Sequence, residues 1–137
     1  MKVSHKRSVE APILGTFSGD ALCYRTEVLN STEVDIKIVW FQFFIEEHGS
    51  WCGYTVKNRV LREADFLQAY HGGDAFQDGW ILPGHTAVCD PNWHGGDLDH
   101  FPRVKWSFLA VDREGETYFD EAEVAKECVS YIHKSAE

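Results

Sequence analysis

The chain has 137 residues, of which 44% are hydrophobic and 14% aromatic, and its formal net charge is -9. This length fits a single domain over residues 1–137, and the apolar share is sufficient for a buried core. The acidic balance excludes a nucleic-acid binder, because binding phosphates requires clustered Lys and Arg. The basic residues near the start are too few for such a groove, and residues 1–10 are predicted to form a frayed basic terminus.

The sequence shows no targeting or membrane-spanning segment. The apolar stretch Ala11 to Leu14 is shorter than the ~7–15 apolar residues of a signal-peptide core. The longest apolar run, Ile36 to Ile45, is interrupted by Lys37 and Gln42 and is below membrane-spanning length. We therefore expect a cytoplasmic protein that does not contact a membrane, or a secreted one if a leader was removed.

Two consecutive strands are predicted in the first third of the chain. Residues 21–29 alternate between apolar and polar side chains, as a half-buried strand does. Residues 34–45 are rich in β-branched and aromatic side chains on both faces, which is typical of a central strand covered on each side. The turn residues 30–32 separate the two segments, so we expect an antiparallel pair.

The middle of the chain is predicted to alternate short elements with turns. A short helix is expected near residues 62–70, where Phe66, Leu67 and Tyr70 share one face. Gly, Asp and Pro are frequent in residues 71–79 and 90–102, which predicts loops there. The expected strands in this region are residues 51–60, 80–82 and 86–89.

The last third predicts a hairpin and one further element. Residues 104–111 alternate, turn at 112–115 and return through 116–119. Asp120 and Glu123 resemble a helix-capping pair, and Val124, Cys128, Tyr131 and Ile132 follow at helical spacing. This pattern predicts a C-terminal helix, with a final edge strand as the alternative.

The regular spacing of these strands predicts the fold class. We expect a mainly β protein, a two-layer antiparallel β-sandwich that is roughly immunoglobulin-like. A short helix near 62–70 and a C-terminal helix would complete it. A sheet curled round the terminal helix is the alternative architecture.

Four cysteines, Cys23, Cys52, Cys89 and Cys128, are widely spaced and include no Cys-x-x-Cys pair. This spacing is poor for a zinc knuckle. We predict free thiols, because a core of this size does not need disulfides to fold. Two disulfides in an oxidising compartment are the alternative.

The densest group of potential metal ligands lies between Cys89 and His100. The tetrapeptide His-Gly-Gly-Asp occurs at residues 94–97 and also at 71–74, so two loops could share one site. Imidazole and carboxylate groups suit zinc, manganese or iron. The candidate metal ligands are His71, His94, Asp97, Asp99 and His100. These are also ordinary turn residues, and on that interpretation, which we favour, the protein holds no cofactor; a divalent metal site is the alternative.

Catalytic motifs are not recognisable in the sequence, which weighs against an enzyme. The patterns of zinc proteases, nucleophile elbows and phosphate-binding loops do not occur. A Cys89–His94 nucleophile pair is the only arrangement for covalent catalysis that the spacing suggests.

Aromatic residues in or beside the predicted loops form a second candidate site. Tyr70, Trp80 and Trp93 could stack on a sugar or contact a protein partner. Alternatively, they close the end of the core.

Three functional hypotheses follow from the sequence. The first is a non-catalytic β-sandwich module that binds a protein or glycan through loops 70–80 and 90–102. The second is a small metal-binding protein or metal-dependent enzyme with a His/Asp site around His94–His100. The third is an assembly protein that forms a homodimer through an exposed strand or aromatic patch.

Overall fold

The computed structural model describes residues 1–9, 20–54, 60–73, 76–96 and 101–133. The elements of this part of the chain are β1 (Lys2–Lys6), β2 (Asp20–Leu29), β3 (Ile36–Glu47), β4 (Ser50–Tyr54), β5 (Leu61–Arg62), α1 (Glu63–Ala69), β6 (Phe76–Gln77), β7 (Trp80–Ile81), β8 (Thr86–Gly95), β9 (Val104–Asp112), β10 (Thr117–Glu123) and β11 (Ser130–His133).

Two antiparallel sheets form the layers of a sandwich. In the first sheet β2 is central, and β8 pairs with it along residues 21–29. Strands β1 and β11 pair with opposite halves of the other edge of β2. In the second sheet the order is β10–β9–β3, and the far edge of β3 is shared by β4, β5 and β7. The β6–β7 hairpin extends this edge.

The core lies between the two sheets and is built from alternate residues of their long strands. Strand β3 has a neighbour along each edge, as the predicted central strand requires. Burial of its apolar side chains is the main driving force for stacking the layers. The largest contributions of the central strands are the buried side chains of Leu22, Tyr24, Ile38, Phe41, Trp106 and Phe108.

Two register shifts decide which side chains face this core. In β3 the pairing with β9 shifts between Ile38 and Trp40, so the inward positions change phase. In β8 three steps, from Cys89 to Asn92, oppose two steps of β2, which leaves an extra residue at this point. The peptide between Asp90 and Pro91 in this bulge is cis. A bulge reverses the inward and outward faces of the strand beyond it.

The predicted helix is confirmed as α1, which covers one end of the core. The carboxylate of Asp65 accepts the backbone N–H of Arg62 at 2.9 Å and caps the first turn. Phe66 and Tyr70 lie on the inner face, and their rings stack with centroids 4.3 Å apart. Beyond the helix, His71 and Val88 exchange two backbone hydrogen bonds, which connect the end of α1 to the edge of β8.

The predicted C-terminal helix is wrong, and the strand alternative is confirmed. Residues 117–123 form β10 along β9, and residues 130–133 form β11 along β2. Between them, residues 126–128 form one 3-10 turn. The exposure of β10 alternates residue by residue, as in a strand. Beyond it, pairing of β11 with β2 overrides the helical spacing of Val124, Cys128 and Ile132.

The first residues are ordered as a strand where the sequence predicted a frayed terminus. Val3 is 5% exposed, and β1 pairs with β2 from Lys2 to Lys6. The prediction failed because charge alone suggested a solvated segment. Val3 is buried by the alternation of this strand, but five residues are too few for such alternation to predict a strand from the sequence.

The predicted loop at 90–102 is partly a strand, because β8 continues through the bulge to Gly95. The predicted 70–80 loop contains the short β6–β7 hairpin. The two-layer antiparallel sandwich is confirmed, whereas its immunoglobulin-like detail is not. All four cysteines are unpaired thiols. In the described ranges, no helix has the length and apolar character needed to cross a membrane.

Candidate functional site

A cleft of about 840 Å³ opens between the two sheets beside α1. One wall is aromatic and comes from the second sheet, with Phe41 and Phe43 on β3 and Trp106 on β9. The facing wall comes from the inward positions of β8, which carry Cys89, Asn92 and His94. Pockets of ~300–1,000 Å³ with apolar walls and a few polar groups are typical of small-molecule sites.

The helix and two exposed aromatic residues complete the cleft. Gln68, Ala69 and Tyr70 of α1 and its C-terminal end form a third side. Tyr54 and Trp93, which are 59% and 40% exposed, stand at the mouth. The cleft therefore combines a buried interior with an aromatic entrance.

A buried hydrogen-bond chain leads from the core to the cleft. Trp106 Nε1 donates to the hydroxyl oxygen of Tyr24 at 2.9 Å, and this hydroxyl is 3.1 Å from Nδ1 of His94. Tyr24 is fully buried and His94 is 8% exposed. The other ring nitrogen of His94, Nε2, has no hydrogen-bond partner among the described residues. The chain thus ends at an unsatisfied polar atom on a cleft-lining ring.

A second polar cluster lies behind the first, around Thr26. The Thr26 hydroxyl accepts from Nδ2 of Asn92 at 2.9 Å and lies 2.9 Å from Nδ1 of His5. Nε2 of His5 donates to the carbonyl of Ala122 at 3.0 Å. The Tyr70 hydroxyl is close to Thr26 but makes no hydrogen bond of good geometry with a described residue. These bonds position Asn92 in the floor of the cleft.

Burial controls the protonation of the ionisable groups in the cleft. It lowers the pKa of His94 to about 4, so the imidazole is neutral at physiological pH. Burial, with a smaller effect from Asp90, raises the pKa of the Cys89 thiol to about 12. A thiol that stays protonated is a poor nucleophile, and His94 Nδ1 is directed at Tyr24. The structure therefore gives the predicted Cys89–His94 nucleophile pair no support.

The structure places the three predicted aromatic site residues in two different regions. Tyr70 and Trp93 both line the cleft. Trp80 lies outside it, near the start of β3, with Nζ of Lys37 4.7 Å and Cζ of Arg113 4.3 Å from its ring centroid. Trp80 thus makes cation–π contacts at the surface.

The metal candidates that the structure describes do not converge. His94 faces Leu22 of β2, and Val88, the partner of His71, faces Glu27. Leu22 and Glu27 are five residues apart along β2, which is roughly 16 Å. This separation is too large for both imidazoles to bind one ion. Within the described ranges, no group of three or more His, Cys, Asp or Glu could hold a metal. Asp97, Asp99 and His100 lie outside the described residues.

Sequence reasoning missed Tyr24, Asn92 and Trp106 as site residues. Tyr24 and Trp106 lie in strands whose alternation predicted core positions, which is where they are. Nothing in that alternation predicts that they form a polar chain to His94. Comparison with protein-family models, with curated proteins and with solved structures gave no match for this chain.

Proposed function

We propose that this protein binds a small, mainly apolar and aromatic ligand in the cleft between its two sheets. The observation that carries the proposal is the cleft itself, about 840 Å³ and walled by the rings of Phe41, Phe43 and Trp106. Burying a ligand against such a wall is favourable by about 25 cal/mol per Å² of apolar surface. Aromatic ligands would add ring–ring contacts.

The charge of the walls supports a neutral ligand. The inward groups of β8 that line the cleft are a neutral imidazole, an amide and a protonated thiol. An anionic group on the ligand would lose hydration without gaining a counter-ion from these walls, which is costly. The one carboxylate in the described lining, that of Asp65, already accepts the backbone N–H of Arg62 at the start of α1. Neutral ring systems with few polar atoms fit this environment best.

A variant of the helix tests the proposal directly. Ala69 is exposed and lines the cleft, so Ala69→Trp should obstruct it without disturbing the core. Ala64 is exposed on the same helix but is not part of the cleft lining, so Ala64→Trp is the matched control. The probe is the neutral fluorescent dye N-phenyl-naphthylamine, whose emission rises in apolar sites.

The unchanged protein and Ala64→Trp should bind the dye saturably with micromolar affinity, whereas Ala69→Trp should bind it at least ~10-fold more weakly, a loss of about 1.4 kcal/mol. Equal binding by all three proteins would place the dye elsewhere and contradict the proposal. So would the absence of saturable binding to the unchanged protein.

The protein- or glycan-binding role predicted from the sequence stays a prediction. Tyr54 and Trp93 at the mouth favour it most, because exposed aromatic rings stack on sugars and anchor protein partners. Removing the ring by Trp93→Ala would strongly weaken the binding of such a partner. It should change dye binding in the cleft interior by less than about 3-fold, since Trp93 lies at the rim.

A further inference from the structure

The protonation of the His94 ring follows from counting donors and acceptors around Tyr24. The Tyr24 oxygen already accepts the N–H of Trp106. Its own O–H, fully buried, needs an acceptor, and Nδ1 of His94 at 3.1 Å is the one acceptor within reach among the described residues. If Nδ1 instead carried the proton, the Tyr24 O–H would be left without an acceptor. Buried donors without acceptors are rare because their lost hydration is not replaced.

We infer that the Trp106–Tyr24–His94 chain holds the ring proton of His94 on Nε2, so that the cleft recognises neutral ligands carrying a carbonyl or similar hydrogen-bond acceptor. This inference rests on the proposed function and specifies its ligand class. A neutral imidazole has one donor and one acceptor nitrogen. With Nδ1 used by Tyr24, the other ring nitrogen, Nε2, is an N–H donor.

The surroundings of the ring make this donor selective. Rings of Phe43 and Phe101 flank the imidazole, with centroids 5.1 and 6.1 Å from it. In such apolar surroundings a hydrogen bond is stronger than in water, and an unmatched donor is correspondingly unfavourable. Phe43 is in the core, whereas Phe101 precedes β9 and is only partly buried. Nε2 itself is buried, so a ligand would have to displace the partly buried Phe101 to accept a hydrogen bond from it.

The same tautomer separates ligand recognition from metal binding. A histidine that binds a metal through Nε2 usually donates its Nδ1 proton to a neighbouring acceptor. At His94 the Tyr24 hydroxyl instead donates to Nδ1, so Nε2 carries the proton and has no free lone pair for an ion. The chain thus favours a hydrogen-bonded organic ligand at this position.

A matched pair of probes tests the inference. Benzophenone and the alkene in which a CH2 group replaces its carbonyl oxygen have nearly the same shape and differ in the acceptor. Binding of the alkene shows whether a ligand enters the cleft. The ratio of the two dissociation constants gives the contribution of the hydrogen bond that Nε2 of His94 donates. Both are determined by displacement of N-phenyl-naphthylamine, for the unchanged protein, His94→Phe and His94→Gln.

We expect the unchanged protein to bind benzophenone about 3- to 10-fold more tightly than the alkene, the range of one net hydrogen bond. His94→Phe should bind both equally, and His94→Gln, which keeps an N–H donor, should retain part of the preference. Equal binding of the two probes by the unchanged protein overturns the inference and leaves the proposed function standing. If neither probe binds, the inference and the proposed function are both contradicted.

NMR of the unchanged protein keeps the test independent of how the variants fold. Ring-nitrogen spectra at neutral pH distinguish the two neutral tautomers of histidine. A protonated Nε2 and an unprotonated Nδ1 at His94 are expected. The opposite assignment overturns the inference.

Discussion

Two histidines, the buried His94 and the half-buried His5, flank the ring of Tyr24 and make the stability of the fold depend on pH. His5 and His94 each lie 5.6 Å from the Tyr24 ring, measured between centroids. Burial lowers the pKa of His94 to about 4, and it lowers that of His5 to about 4 against the opposing hydrogen bond to Ala122. In the unfolded chain both pKa values return to about 6.5. The folded state therefore holds two imidazoles neutral where the unfolded state protonates them.

We predict that the free energy of unfolding changes little between pH ~7 and ~8 and falls as the pH decreases from there to ~4. In this window the unfolded chain binds more protons than the folded one, and each histidine can remove up to ~3 kcal/mol. Urea titrations at intervals of pH measure it. Unfolded carboxylates titrate near pH 4, so the upper half of the window reports on the histidines.

The matched variants for this prediction are His94→Gln and His5→Asn, which keep a polar side chain that does not titrate. Each should lower the slope of stability against pH by about half between pH 5 and 6.5, because one of two titrating groups is gone. A flat profile in the unchanged protein would mean that the imidazoles are not held neutral by burial.

At the scale of elements, β1 contacts both layers of the sandwich. It pairs with β2 in the first sheet, while the backbone N–H of Val3 donates to the Asp120 carboxylate of β10 at 2.7 Å. His5 adds its bonds to Thr26 and Ala122. This strand therefore connects both sheets at the side away from α1.

We predict that removing residues 1–6 lowers the free energy of unfolding by about 2–4 kcal/mol. The lost burial of Val3 and the lost hydrogen bonds outweigh the chain entropy that is regained. Urea unfolding at pH 7 measures the change. The control, Lys2→Ala with Lys6→Ala, removes the same charges but keeps the strand, and it should cost less than ~1 kcal/mol. Equal effects would indicate that β1 contributes only charge.

Strand β8 shows why the candidate site could not be predicted in full from the sequence. Extending the alternation of Ala87 and Cys89 along an unbroken strand turns Trp93 inward and His94 outward. The extra residue at the bulge exchanges them, so that His94 is 8% and Trp93 40% exposed. The sequence indicated both residues as candidates, but their roles depend on a pairing register set by β2.

At the scale of the whole molecule, the sequence predicts the two-layer sandwich but not which strands pair at the edges of each sheet. The alternation of β2 and the two apolar faces of β3 are local signals strong enough to predict strands. The predicted antiparallel pairing of these two strands is wrong, because β2 lies in the first sheet and β3 in the second. The positions of β1 and β11 depend on their pairing with β2. The pairing of β11 with β2 joins the two ends of the sequence. Pairing of this kind overrides local propensity, as the strands at the C-terminus show. The cleft exists because both layers and α1 meet around it.

Because the cleft joins both layers, a bound ligand should stabilise the whole fold against unfolding. We predict that benzophenone at ~100 times its dissociation constant adds about 2.7 kcal/mol to the free energy of unfolding. For a domain of this size that raises Tm by roughly 10 °C. Calorimetry measures the shift, which should vanish in Ala69→Trp and persist in Ala64→Trp.

Hydrogen exchange distinguishes this whole-fold effect from attachment at the surface. Amides at the centres of β2 and β9 open only by global unfolding if the sandwich is cooperative. They belong to different sheets, yet benzophenone should slow their exchange by the same factor, about 100-fold at that ligand concentration. Protection limited to α1 and β4 would mean that the ligand rests on the mouth of the cleft, against Tyr54, and does not enter between the layers.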